Sequence, residues 1–136
     1  MNDQSTETLT VVVEREMAYP PEKIWRALTQ PDLLEQWLMK NDFKPQVDHD
    51  FTLSADWGSV VGRVMTVEPY TTLSYTWGAF GLGSVVTWTL TPTAAGTHIR
   101  MEHAGFRPDQ QAAYHGAQAG WPRFLTALED VVARAA

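Results

Sequence analysis

The stretch from Asp109 to Ala136 places the tightest limit on what this chain can become. Large apolar residues stand at Trp121, Phe124, Leu125, Leu128, Val131 and Val132, at offsets of three, four, seven, ten and eleven from the first. That spacing follows one side of an α-helix. Arg123, Thr126, Glu129, Asp130 and Arg134 take the other side, which suits water. A helix that is apolar along one side must lay that side on another layer. Gly120 and Pro122 interrupt the pattern, and proline inside a helix loses one hydrogen bond and crowds the preceding turn. The expectation is a kink there, or a short helix ending at Ala119 followed by the main one. Ala112, Ala113, Gly116, Ala117 and Ala119 cluster just upstream, and side chains this small leave room beneath a covering helix.

The layer available to be covered is a sheet. Leu9, Val11, Val13, Arg15 and Met17 share one face of a first strand, while Glu14 and Glu16 mark the other as wet. Arg15 is therefore expected to point inward. Pro20-Pro21 ends that strand, and two short helices follow. Ile24, Trp25 and Leu28 stripe the first; Leu33, Leu34, Trp37 and Leu38 stripe the second. From Phe43 the period changes to two, in Phe51-Leu53-Ala55-Trp57, Val60 to Val67, Leu73-Tyr75-Trp77, Val86-Trp88-Leu90 and Ile99-Met101-His103. The connections are too short for a parallel crossover, so neighbouring strands must run antiparallel. The sequence thus predicts an α+β fold: a curved antiparallel sheet against a long C-terminal helix, with two short helices between strands 1 and 2. Residues 1–7 are expected to be a mobile tail and 8–136 a single domain.

Several function classes are excluded on composition. With no cysteine there is no thiolate metal site and no thiol catalysis. A net charge of −6, with ten scattered basic residues, argues against nucleic acid and anionic membranes as partners. The polar start Met1-Asn2-Asp3 is unlike a signal peptide, and no apolar run approaches the roughly 20 residues that span a bilayer. The expected compartment is the cytoplasm. Gly78-Ala79-Phe80-Gly81-Leu82-Gly83 lacks the spacing, lysine and following helix of a phosphate loop, so it reads as a strand connection, and no cofactor is expected. Asp48-His49-Asp50 offers metal-ligand chemistry, but adjacent side chains on extended backbone diverge, so solvated acids at a turn are expected and no metal.

The order strand, two short helices, antiparallel strands and long helix resembles the helix-grip superfamily, also called START-like or SRPBCC. Within it the chain is similar to the group named after the C-terminal domain of the activator of the heat-shock-protein-ninety ATPase. The residues that carry the resemblance are Tyr19-Pro20-Pro21-Glu22-Lys23-Ile24-Trp25-Arg26-Ala27-Leu28-Thr29, Gly62 to Trp77, Trp88-Thr89-Leu90-Thr91-Pro92 through Gly96-Thr97, His103-Ala104-Gly105-Phe106 and Gly120-Trp121. Asp48-His49-Asp50 departs from the group, whose members often carry glycines there. The resemblance implies a deep apolar cavity between helix and sheet, of the kind that holds lipids, hormones, flavonoids or polyketides in other members.

Such a cavity would be lined along the sheet by Phe51, Leu53, Val64, Tyr75, Trp77, Val86, Trp88 and Met101. Trp37, Trp57, His103, Phe106, Ala117 and Trp121 would complete it. The first reading is a carrier or sensor of a hydrophobic small molecule, monomeric or homodimeric. The second is a cyclase, dehydratase or isomerase in which His103 moves a proton while Tyr75 or Arg15 holds an oxyanion. The third is a module that binds a chaperone, which requires an exposed apolar patch.

Overall fold

The structure is a computed structural model that describes residues 8–78 and 83–135. The tail reading for residues 1–7 and most of the glycine-rich connection, 79–82, lie outside the described residues. Strand β1 (Leu9–Met17) leads into α1 (Pro21–Thr29) and α2 (Pro31–Trp37). There follow β2 (Lys40–Asn41), β3 (Asp50–Ala55), β4 (Gly58–Glu68), β5 (Thr72–Trp77), β6 (Ser84–Pro92), β7 (Thr97–Phe106) and α3 (Gln111–Arg134). The seven strands form one curved antiparallel sheet in the order β1-β7-β6-β5-β4-β3-β2. A meander from β2 to β7 is completed by the first strand pairing with the last. This is the helix-grip arrangement.

Local chemistry accounts for the boundaries. Pro21 and Pro31 each open a helix, where a missing N–H is harmless. Pro122 does not divide α3, which runs as one helix from Gln111 to Arg134, so the expectation of a break at Ala119 is corrected. A basic side chain serves the exposed side of that proline: Arg15 reaches from β1, donating to the Pro122 carbonyl at 2.9 Å and to Thr126 Oγ1 at 2.8 Å. The inward reading of Arg15 thus holds in direction, toward α3.

The C-terminal half of α3 packs tightly. Trp121, Leu125, Leu128, Val131 and Val132 are buried against the sheet and the two short helices. Leu125 and Leu128 are fully covered, and each such side chain contributes roughly 1.5–3 kcal/mol. Beneath them Trp37 meets Trp88 edge to face at 5.7 Å, with its indole N–H on the Ala27 carbonyl. Phe43, Phe51 and Tyr75 form a second aromatic knot, with centroids 5.1–5.7 Å apart.

Candidate functional site

The packing opens at the N-terminal half of α3. There the side facing the sheet carries Ala113, Gly116, Ala117 and Gly120, which cannot reach the strands. A pocket of about 570 Å³ results, bounded on the sheet side by Trp77 at the end of β5 and by His103 and Phe106 near the end of β7. Trp121 and Phe124 close its far end, Asp109 and Gln110 stand at the start of the helix, and Trp57 in the β3–β4 turn forms an outer wall.

A β-bulge shapes the sheet side. Leu9 pairs with Phe106 and Thr10 with Ala104, which leaves Gly105 as the extra residue. Its φ of +103° belongs to glycine, and a Cβ there would stand 3.0 Å from the Gly83 carbonyl oxygen. Without the bulge, residues 103 and 106 would face opposite sides. With it both turn inward, their rings 4.5 Å apart.

His103 sits in a chain of hydrogen bonds that assigns its tautomer. The Trp121 indole Nε1–H donates to Nδ1 at 3.0 Å, and indole nitrogen can only donate. Ser84 Oγ–H donates to the Trp77 carbonyl at 2.8 Å, so the serine oxygen receives the Nε2–H of His103, also at 2.8 Å. Both ring nitrogens are occupied and the ring is neutral. Burial pushes its pKa down to about 4.

The three residues expected to share catalysis do not converge. Tyr75 lies in the same row of the sheet as His103, two strands away through Val86, at a spacing of roughly 10 Å. Its hydroxyl accepts from Trp88 Nε1 at 2.9 Å, and burial pushes its phenol well above the ordinary value. Arg15 is committed to α3 at Pro122 and Thr126. The expectation of a joint His103–Tyr75–Arg15 centre is therefore corrected. Nδ1, which a base would need free, faces a donor.

Of the expected lining residues, Trp57, Trp77, His103, Phe106, Ala117 and Trp121 stand on the pocket wall. Trp37, Phe51, Leu53, Val64, Tyr75, Val86, Trp88 and Met101 do not; they are buried in the packed interior beside it. The seven strand residues among them face inward as alternation requires, but α1, α2, Phe43 and the C-terminal half of α3 fill the space above them. Of the small residues before Trp121, Ala112, Ala113, Gly116 and Ala117 line the pocket together with Gly120, and Ala119 does not. Ser84 was missed altogether, since nothing local in the sequence marks it.

Asp48, His49 and Asp50 diverge. Asp50 pairs across the hairpin with Arg63 at 2.8 Å, and this hydrogen bond holds its carboxyl below the usual range. His49 Nε2 meets the Asp42 carbonyl at 2.9 Å. Among the described residues no three His, Asp or Glu side chains gather as a metal site, and no helix is long and apolar enough to cross a membrane.

A helix gripped by a curved antiparallel sheet, with a pocket between them, defines a START-like domain of the SRPBCC superfamily. The chain belongs to the family described as Activator of Hsp90 ATPase homolog 1-like protein, whose model matches residues 18–133. Among solved structures it is similar to protein MLL2253 from Mesorhizobium loti, with 59% identity over 94% of this chain and 99% of that one, at a TM-score of 0.91. DynU16, from the dynemicin biosynthetic locus, shares the fold at 23% identity and TM-score 0.82, covering 92% of this chain and 47% of that one. The Aha1 dimer from Colwellia psychrerythraea shares it at 19% identity and TM-score 0.77, over 91% of this chain and 96% of that one. No functionally curated protein matches the chain.

Proposed function

We propose that this protein binds an apolar or aromatic small molecule between the N-terminal half of α3 and the sheet, as a carrier or sensor without catalysis. One observation carries the reading: about 570 Å³ stands open between the small residues of α3 and the aromatic rings of the sheet. A pocket of that size with a few polar groups at its mouth is the usual form of a small-molecule site. A carrier is favoured over a cyclase or isomerase because His103 spends both nitrogens on Trp121 and Ser84, while Tyr75 and Arg15 serve other parts of the fold. We place the protein in the cytoplasm, as a monomer or homodimer; the dimer described for the Colwellia relative supports keeping the second form.

The test is native mass spectrometry of protein taken directly from its host, followed by thermal shift against a hydrophobic library. A bound mass, or a library member that raises Tm, is expected. Absence of both would defeat the proposal. The family description also motivates a chaperone partner, and a pull-down that recovers no chaperone would count against that reading.

A further inference from the structure

We infer that the pocket takes uncharged fused-ring molecules in preference to acyl chains and carboxylates, and that Gly116 and Gly120 set this preference. The inference rests on the binding reading above and narrows it to one chemical class.

The first observation is what the wall lacks. Among the described residues no leucine, isoleucine, valine or methionine stands on it, although the adjoining interior is built largely from them. The sheet side of the wall is aromatic, and the helix side is alanine and glycine as far as Gly120, with Trp121 and Phe124 beyond. Trp77 and Trp121 lie 5.3 Å apart at 58°, and Trp121 and Phe124 lie 5.5 Å apart at 62°. Rings held at such angles offer both faces and edges, the two surfaces that another aromatic system packs against.

The second observation concerns the glycines. Gly116 and Gly120 are one turn apart on the same side of α3, and both line the pocket. A Cβ built at either meets no atom within 4 Å. Neither has the positive φ that would call for glycine. Close packing and backbone geometry therefore leave both unexplained, and a helix interior favours alanine over glycine. What the missing side chains provide is a flat strip of bare peptide facing aromatic rings. A planar guest can lie along it.

The third observation is charge. Among the described residues no lysine or arginine is on the wall, and His103 offers no free nitrogen. An anion drawn into the interior would lose its water without finding a partner. Asp109 stands at the mouth, where its carboxyl oxygen accepts from Arg107 at 3.3 Å. Arg107 and the first turn of α3 are the features there that would attract a carboxylate, so a carboxylate is the discriminating probe.

Calorimetric titration with 2-naphthol, 2-naphthoate and 1-decanol at neutral pH tests the preference. Naphthol is expected to bind at least about ten-fold more tightly than either of the others. Gly116→Leu and Gly120→Leu are each expected to weaken naphthol about ten-fold or more. Gly116→Ala and Gly120→Ala are each expected to raise the Tm of the free protein by about 2–4 °C, which separates lost binding from lost folding. Decanol or naphthoate binding as tightly as naphthol would overturn the inference while leaving a small-molecule site intact. A lowered Tm in the alanine variants would overturn the role given to the glycines. If none of the three probes binds, a hydrophobic library decides: chain-like or carboxylate hits sink this inference alone, and no hit at all sinks the binding proposal.

Discussion

Trp121 on α3 donates its indole N–H to Nδ1 of His103 on β7 at 3.0 Å, joining the helix to the sheet at the inner end of the pocket. The bond turns a residue with the look of a catalytic base into a fixed acceptor. Protonating Nδ1 would set two N–H groups against each other in a buried place. The histidine therefore holds a wall in position.

The pH dependence follows from the same contact. The folded-state pKa of His103 is about 4, below the ordinary 6.5, so the unfolded chain takes up the proton first. Stability is full above pH ~6.5 and is lost as pH falls toward 4, by roughly 3 kcal/mol in all. Urea unfolding at half-unit intervals should show this decline, and His103→Phe should flatten it. His98, its pKa raised chiefly by a hydrogen bond to Glu14, acts in the opposite sense. Its small surface contribution is complete at low pH and fades as pH rises through its folded-state value. A wild-type curve that stays level between pH 6.5 and 4.5 would show that His103 is not held neutral.

Trp121→Phe keeps an aromatic ring but withdraws the donor, leaving Nδ1 of His103 buried and unpaired. The expected loss is about 2–4 kcal/mol from the orphaned acceptor and the smaller ring together. A double-mutant cycle with His103→Phe should give a coupling of about 1 kcal/mol or more in chemical denaturation. Simple additivity would mean the contact contributes nothing.

Tyr75→Phe separates interior from pocket. It strands the Trp88 indole N–H, which is buried, at a cost of about 1–3 kcal/mol. Since Tyr75 is off the wall, the affinity for any ligand found should change by less than about two-fold in calorimetry. A loss of binding with unchanged Tm would restore Tyr75 to the site.

Gly105→Ala probes the bulge that turns His103 and Phe106 to the same side. Its φ of +103° and the approach of Gly83 oxygen and Ser84 Cα at 3.0–3.1 Å oppose any side chain. A destabilisation of about 1–3 kcal/mol is expected, with altered near-ultraviolet circular dichroism from the shifted rings. A variant as stable as wild type, with the same spectrum, would show that the bulge is not needed to aim Phe106.

Periodicity determined the longer strands and the helical stripes of this protein; β2, only Lys40–Asn41, carries no such signal. Leu9 to Met17 alternates as a strand with Arg15 turned toward the helix, and the stripe from Trp121 to Val132 is buried except for Phe124, which stands half-buried on the pocket wall. Short connections required the antiparallel order, and prolines at 21 and 31 announced two helices. The tertiary structure decided which inward residues meet atoms and which meet space. Trp88 and Trp77 both face the helix layer from the sheet; one lies under side chains that reach it, the other opposite glycine and alanine. Alternation along a strand specifies a direction, whereas filling depends on side chains from elements distant in the chain. The Ser84–His103–Trp121 chain was hidden for the same reason, because its partners come from three elements that only the folded sheet and helix bring within 3 Å.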